Sequence, residues 1–340
     1  MDRQRQSLIL IGAAWGLFVT SAFAQEPLTI RELGWLSDDG QVEALITKPA
    51  FNRQTLLMVA ADSSIGESYD NVDDLAADLL LGEFLFETPL LLGGQAAKAG
   101  LSCHSCHVNG RANPRFQFPA ISGEPGTADT THNFFSETLG NGVFDPVPIP
   151  DLTKQGNVSH DLISRDLERF LATIVVEEFA GSRPVQGAIP ALATFVRALR
   201  LAPTDWDRQT QSQSITRDIG DAIATVEVAK LRSANREFAL ADLLLSGARN
   251  KLAMIHERLI PEHHHEEQLW LIDRSRKIGD IQSQMREARV SSNGHAGNVD
   301  RAFSLWLETV QTQPDFEAIE AQSLYNPKVL IERLGLESSD

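Results

Sequence analysis

Residues 100 to 110 read Gly-Leu-Ser-Cys-His-Ser-Cys-His-Val-Asn-Gly and hold both cysteines of a 340-residue chain. Cys103 and Cys106 stand three apart, and His107 follows directly. This placement rules out a fold stapled by disulfides, because a bond between i and i+3 closes only a small strained ring. A thioredoxin-like redox pair belongs in a βαβ alternation, and none surrounds residue 103. Zinc asks for four ligands at separated positions, and no other cysteine supplies a second pair. What remains is C-x-x-C-H, the attachment pattern of a c-type haem. Residues i and i+3 share one face of a helical turn, so both thiols reach the two vinyl groups of one porphyrin. The next residue then projects its imidazole at the iron, as the proximal ligand. The sequence therefore predicts one covalent haem c, held by Cys103, Cys106 and His107. His104, beside the motif, reads as an exposed position and not a ligand.

The start of the chain fits that chemistry. Arg3 and Arg5 precede an uncharged apolar run from Leu8 to Ala24, which exits through Ala22-Phe23-Ala24. These are the three parts of a secretory signal peptide, cleaved after Ala24, with an uncleaved anchor as the alternative. The expectation is a periplasmic protein without a stable membrane span once residues 1–24 are removed. Formal charge is −16, and removing the leader's net +1 leaves about −17. Such acidity argues against nucleic acid or an anionic membrane as partner and permits a basic redox protein. Between Arg53 and Lys98 there is no Lys or Arg, yet the stretch carries Asp62, Glu67, Asp70, Asp73, Asp74, Asp78, Glu83 and Glu87. It reads either as a docking patch for the basic partner or as a solvated helix face.

Around the motif, Asn71 to Phe86 reads as a helix, with Asn71 as N-cap and Asp73 and Asp74 at the positive end of its dipole. The Gly- and Pro-rich stretch from Val108 to Asp129 reads as loop. A helix is expected from near Ser159, and a last short one over "IPALATFVRALRL", with Pro190 at its start. Residues 71–202 thereby resemble a class I cytochrome c domain. "LGEFLFETPLLL" followed by "AGLSCHSCH" is similar to the lead-in to a haem in bacterial di-haem cytochrome c peroxidases. The resemblance implies that the first and last helices cross, with Phe195 packed on Phe84 or Leu85. It also implies that a backbone carbonyl after the motif receives the second nitrogen of His107, with Pro114 or Pro119 suited to present it. Those peroxidases carry two C-x-x-C-H motifs, and this chain has one, so their internal electron relay and their activity do not transfer.

A six-coordinate haem needs a second ligand. No methionine lies between the motif and residue 202. His132, in an irregular loop, is the candidate within the domain; His160 reads as a surface histidine, and Met58 and Met254 as packing residues. Ligated, the haem suits an electron carrier in a periplasmic redox pathway. The alternatives are a peroxidase-like enzyme with an open distal site and a haem-based redox sensor.

From Ser214 onward helical periodicity dominates. Leu231, Ala234, Phe238, Ala241, Leu245, Ala248, Leu252, Ile255 and Leu259 alternate spacings of three and four, the pattern of one long amphipathic helix in a bundle. His263 to His265, within "PEHHHEEQ", read as a solvated interhelix loop in preference to a metal-binding tract. The expected architecture is mainly α: a cytochrome c-like haem domain at 71–202, then an α-helical bundle at 203–340. Residues 25–70 form an N-terminal segment with a small β-hairpin around Asp38-Asp39-Gly40.

Overall fold

Helix α1, Val72–Glu87, is apolar almost all round: Leu75, Ala77, Leu79, Leu81, Phe84, Leu85 and Phe86 are all buried. A helix with that distribution must be covered on more than one side, and this one is. The structure, a computed structural model, describes residues 69, 72–132, 134–136, 139–154, 156–159, 165–199, 214–290 and 296–333. The N-terminal hairpin, the leader, Met58 and His160 lie outside the described residues.

One face of α1 crosses α5, Ala188–Ala198, which opens on Gly187 in the left-handed region and carries Pro190 in its first turn. The crossing is close because Gly82 has no side chain: a Cβ there would stand 2.3 Å from the Ala191 carbonyl oxygen. Phe195 packs on Phe86, ring centroids 5.3 Å apart. The Phe84 ring lies over Gly247.

Between α1 and α5 the chain forms α2 (Gly94–Lys98), the one-turn α3 (Cys103–Cys106), an antiparallel pair of two-residue strands, β1 (Thr127–Ala128) and β2 (Val147–Pro148), and α4 (Asp166–Thr173). Helix α4 starts later than Ser159, because Arg165 takes a left-handed φ of 52° that no helix continues through. It runs on into a π turn at Ile174–Glu178. Arg197 of α5, 1 % exposed, forks onto Glu168 of α4 at 3.0 and 3.1 Å.

The bundle is α6 (Ile215–Ala234), α7 (Phe238–Arg258), α8 (Pro261–Val290) and α9 (Ala296–Thr309), followed by α10 (Phe316–Glu320) and α11 (Pro327–Arg333). The apolar stripe from Leu231 to Leu259 is therefore two helices and not one. Arg236, at φ 62°, turns the chain back, and the N–H groups of Asn235, Arg236 and Glu237 close the end of α6. Only its α7 part is core: Ala241, Leu245, Ala248, Leu252, Ile255 and Leu259 are buried, whereas Leu231 and Ala234 at the end of α6 are exposed.

The histidine triple stands at the start of α8, where the backbone leaves helical geometry at His264 (φ −129°, ψ 34°) and the helix kinks. His264 is buried, and its Nδ1 accepts the Ile260 N–H at 3.1 Å. His263 and His265 face solvent.

Helix α1 also meets the bundle. Asp78 pairs with Arg232 at 2.9 Å and accepts the Tyr69 hydroxyl at 2.8 Å. Burial pulls the Lys251 ammonium towards its neutral form, but Glu83, Glu87, Asp221 and Asp218 outweigh it and hold the charge. Glu83 is itself buried. The α1 carboxylates expected on a docking patch thus turn inward at Asp78 and Glu83. Asp62, Glu67, Asp70 and the side chain of Asp73 lie outside the described residues.

Candidate functional site

Helix α3 is a single turn, and its ends are tied by side chains. The Ser105 hydroxyl accepts the Ser102 N–H at 3.0 Å at the start. At the far end Asn113 works twice: its N–H donates to the Cys106 carbonyl at 2.9 Å, and its Nδ2 to the Ser105 carbonyl at 3.0 Å. A short helix leaves most of its carbonyls without internal partners, so such a clamp fixes a turn that would otherwise fray. His107 follows as the closing residue, its N–H donating to the Cys103 carbonyl at 2.9 Å.

The structure places Cys103, Cys106 and His107 together, all half-buried, with both cysteines packed against the main core. Burial pushes each thiol up to about 12, so both stay protonated at neutral pH. They remain free thiols and not a disulfide. His104 is also half-buried, with its ring edge-on to Phe86 at 6.3 Å, so it serves the packing between α3 and α1.

The imidazole of His107 is set by a backbone group 43 residues further on. Its Nδ1 lies 3.0 Å from the Pro150 carbonyl oxygen. A carbonyl only accepts, so Nδ1 carries the proton and Nε2 keeps its lone pair. Burial lowers the imidazole's pKa to about 4, partly offset by the Pro150 bond and by Asp151, and the ring is neutral near pH 7.

Neither Pro114 nor Pro119 supplies this carbonyl. The two-stranded ribbon does, because β2 ends two residues before Pro150. The Ile149 N–H donates to the Gly126 carbonyl at 3.0 Å, and the Leu152 N–H to the Gly110 carbonyl at 2.8 Å. Pro150 is thus held between two anchors, one on the ribbon and one just past the motif. The sequence signal was present in Pro146-Val-Pro-Ile-Pro150, a run that proline stiffens into extended backbone. What it lacked was the register, Thr127 opposite Pro148, which brings the run back to residue 107.

A covalently held haem makes three demands: two thiols on one turn, a neutral imidazole with a free Nε2, and a fixed ring orientation. The residues present meet each of them. Among the described residues no group of three or more His, Cys, Asp or Glu gathers in a way that could hold a metal ion. A porphyrin, which carries its own four nitrogens, does not need one.

The described candidates for a second haem ligand stand on other elements. His132 sits in the loop after β1, where its Nδ1 accepts the Phe134 N–H at 3.3 Å and its ring lies edge-on to Phe144 at 6.1 Å. Met254 is on α7, half-buried, with its sulfur 3.8 Å from Asn250 Nδ2. No described helix is long and apolar enough to cross a membrane. Set against models of known protein families, curated proteins and solved structures, the chain finds no match.

Proposed function

We propose that this chain is an exported c-type cytochrome, carrying one haem c covalently on Cys103 and Cys106 with His107 as proximal ligand, and passing electrons in a periplasmic redox pathway. The observation that carries the reading is the Pro150 carbonyl on His107 Nδ1, 3.0 Å away, beside two cysteines on one turn. Iron in such a haem supplies one-electron chemistry. The chain's part is to keep the iron's surroundings fixed. The ribbon orients the imidazole through Pro150, Asn113 locks the turn that carries both thiols, and α1 and α5 back the motif through Phe86 and Phe195. The packing of α1 on α5 beside the single-turn motif supports this reading.

The test begins with the full chain made in a host competent for c-type haem attachment. Haem staining should survive denaturing electrophoresis after acid–acetone extraction, and Cys103→Ala with Cys106→Ala should abolish it. A colourless protein would sink the reading. Ferric absorption and EPR spectra of the same sample should be low spin. A high-spin protein that turns over peroxide with a reduced donor would instead make it an enzyme.

A further inference from the structure

Of the acidic stretch ahead of the motif, Asp78 and Glu83 turn inward, and a second acidic stretch follows the motif. From Phe116 to Thr153 there is no Lys or Arg, while Glu124, Asp129, Glu137, Asp145 and Asp151 all carry carboxylates. The same segment concentrates exposed apolar side chains: Phe134, Leu139, Val143, Phe144 and Val147 are between 37 % and 62 % exposed. On the order of 400 Å² of apolar surface is open there, the size of a functional patch on a soluble protein.

The segment is a built surface. Asp129 is buried, and its carboxylate accepts the Thr131 N–H and hydroxyl and the Asp145 N–H, tying its two limbs together. The rings of Phe118, Phe134 and Phe135 meet one another with centroids 4.8 to 6.1 Å apart, and Phe144 lies against His132. Its far limb is β2, which ends two residues before the carbonyl that orients His107.

We infer that the described residues between Glu124 and Ile149 form the docking face for a basic redox protein, which sets its apolar centre on Val143, Phe144 and Val147 and its lysines on Glu124 and Asp145. The occupant follows from the charges. An apolar patch flanked by Glu124 and Asp145, in a stretch that has no Lys or Arg, is repelled by an anionic membrane and by nucleic acid, and it complements a protein with a lysine-ringed apolar face. A small patch is also what brief electron-transfer encounters use, since they bury less surface than stable complexes. The inference deepens the cytochrome reading and rests on it for the meaning of the contact, though not for the contact itself.

The experiment therefore measures binding separately from colour. A lysine-rich ferric cytochrome c is titrated calorimetrically into the full chain, and haem staining is run on the same sample. Affinity for the unmodified chain should fall steeply with salt as the Debye length shrinks from roughly 30 to 8 Å. Glu124→Lys with Asp145→Lys, both at exposed positions, should weaken binding on the order of tenfold at low salt. Glu257→Lys with Glu266→Lys makes the same charge change on the bundle and should leave the affinity within about twofold. Val143→Ser with Val147→Ser should weaken binding at every salt concentration without moving the thermal midpoint. Equal losses from the two charge pairs would overturn the docking face, as would indifference to all three. A colourless chain that still binds through this loop would leave the face standing and refute the cofactor. A coloured chain indifferent to the loop variants would do the reverse.

Discussion

Gly82→Ala sets helix propensity against packing. On propensity alone the change should stabilise, because alanine in a helix interior is favoured over glycine by about 1 kcal/mol. The crossing of α1 and α5 says otherwise. The new Cβ would stand 2.3 Å from the Ala191 carbonyl oxygen and 2.5 Å from Phe195 Cβ. Real Cβ contacts are essentially never under 3.0 Å, so the helices must part by about an ångström. Neither obstacle is the far end of a flexible side chain that could swing aside. Overpacking of this kind typically costs about 1–3 kcal/mol, and a backbone carbonyl as the obstacle puts it at the upper end. After the propensity gain, a net loss near 2 kcal/mol is expected, or roughly 4–8 °C in the thermal midpoint.

The control is Gly220→Ala in α6, where a Cβ meets nothing within 4 Å. There propensity acts alone, and the midpoint should rise by about 2–4 °C. Scanning calorimetry of the two variants beside the unmodified chain gives both shifts. A Gly82→Ala chain as stable as its parent would refute the close crossing. So would equal and upward shifts at the two sites.

Two further predictions concern buried polar groups. His264 is held neutral by burial and disfavoured as a cation by His263, though Glu267 opposes this, so its pKa is lowered in the folded state. The unfolded chain then takes up the proton first, and this part of the stability is present above about pH 6.5 and lost as pH falls below it. His264→Leu should flatten that acid limb in a plot of midpoint against pH. It should also cost about 1–3 kcal/mol at neutral pH, because the Ile260 N–H loses its acceptor; an unchanged limb would refute the assignment. At the fork of α4 and α5, Glu168→Ala should destabilise more than Arg197→Met. The guanidinium left behind is 2 % exposed and the carboxylate 20 %, and an uncompensated buried charge costs about 3–5 kcal/mol. Denaturant midpoints in the reverse order would show that the pair is not buried as described.

How much of this was legible depended on the range of the cause. Helices α1 and α5 were readable because local signals mark them: acids at the first turn of one, Pro190 at the first turn of the other, and continuous apolar runs in both. The motif was readable because its geometry is complete within five residues. The break at Arg236 was hidden because the apolar period runs through it in phase, and a positive φ at an arginine leaves no mark in the sequence. His264 was hidden for a similar reason: its neighbours are solvated, and burial of one histidine in three is decided by the turn it caps. Pro150 depended on a strand register across twenty residues.

Helix α1 has a consequence for how this chain can change. It backs the motif through Phe86 on one side, and on the other it offers Asp78, Glu83 and Phe84 to Arg232, Lys251 and Gly247 of the bundle. A cut or a recombination point near residue 202 would leave an aspartate, a glutamate and a phenylalanine facing water in one fragment, and a cationic notch in the other. The two halves are therefore bound to drift together. Any larger side chain at 247, or a lost charge at 232 or 251, must be answered on the helix that supports the motif, so a grafted bundle brings with it a claim on the half that carries Cys103 and Cys106.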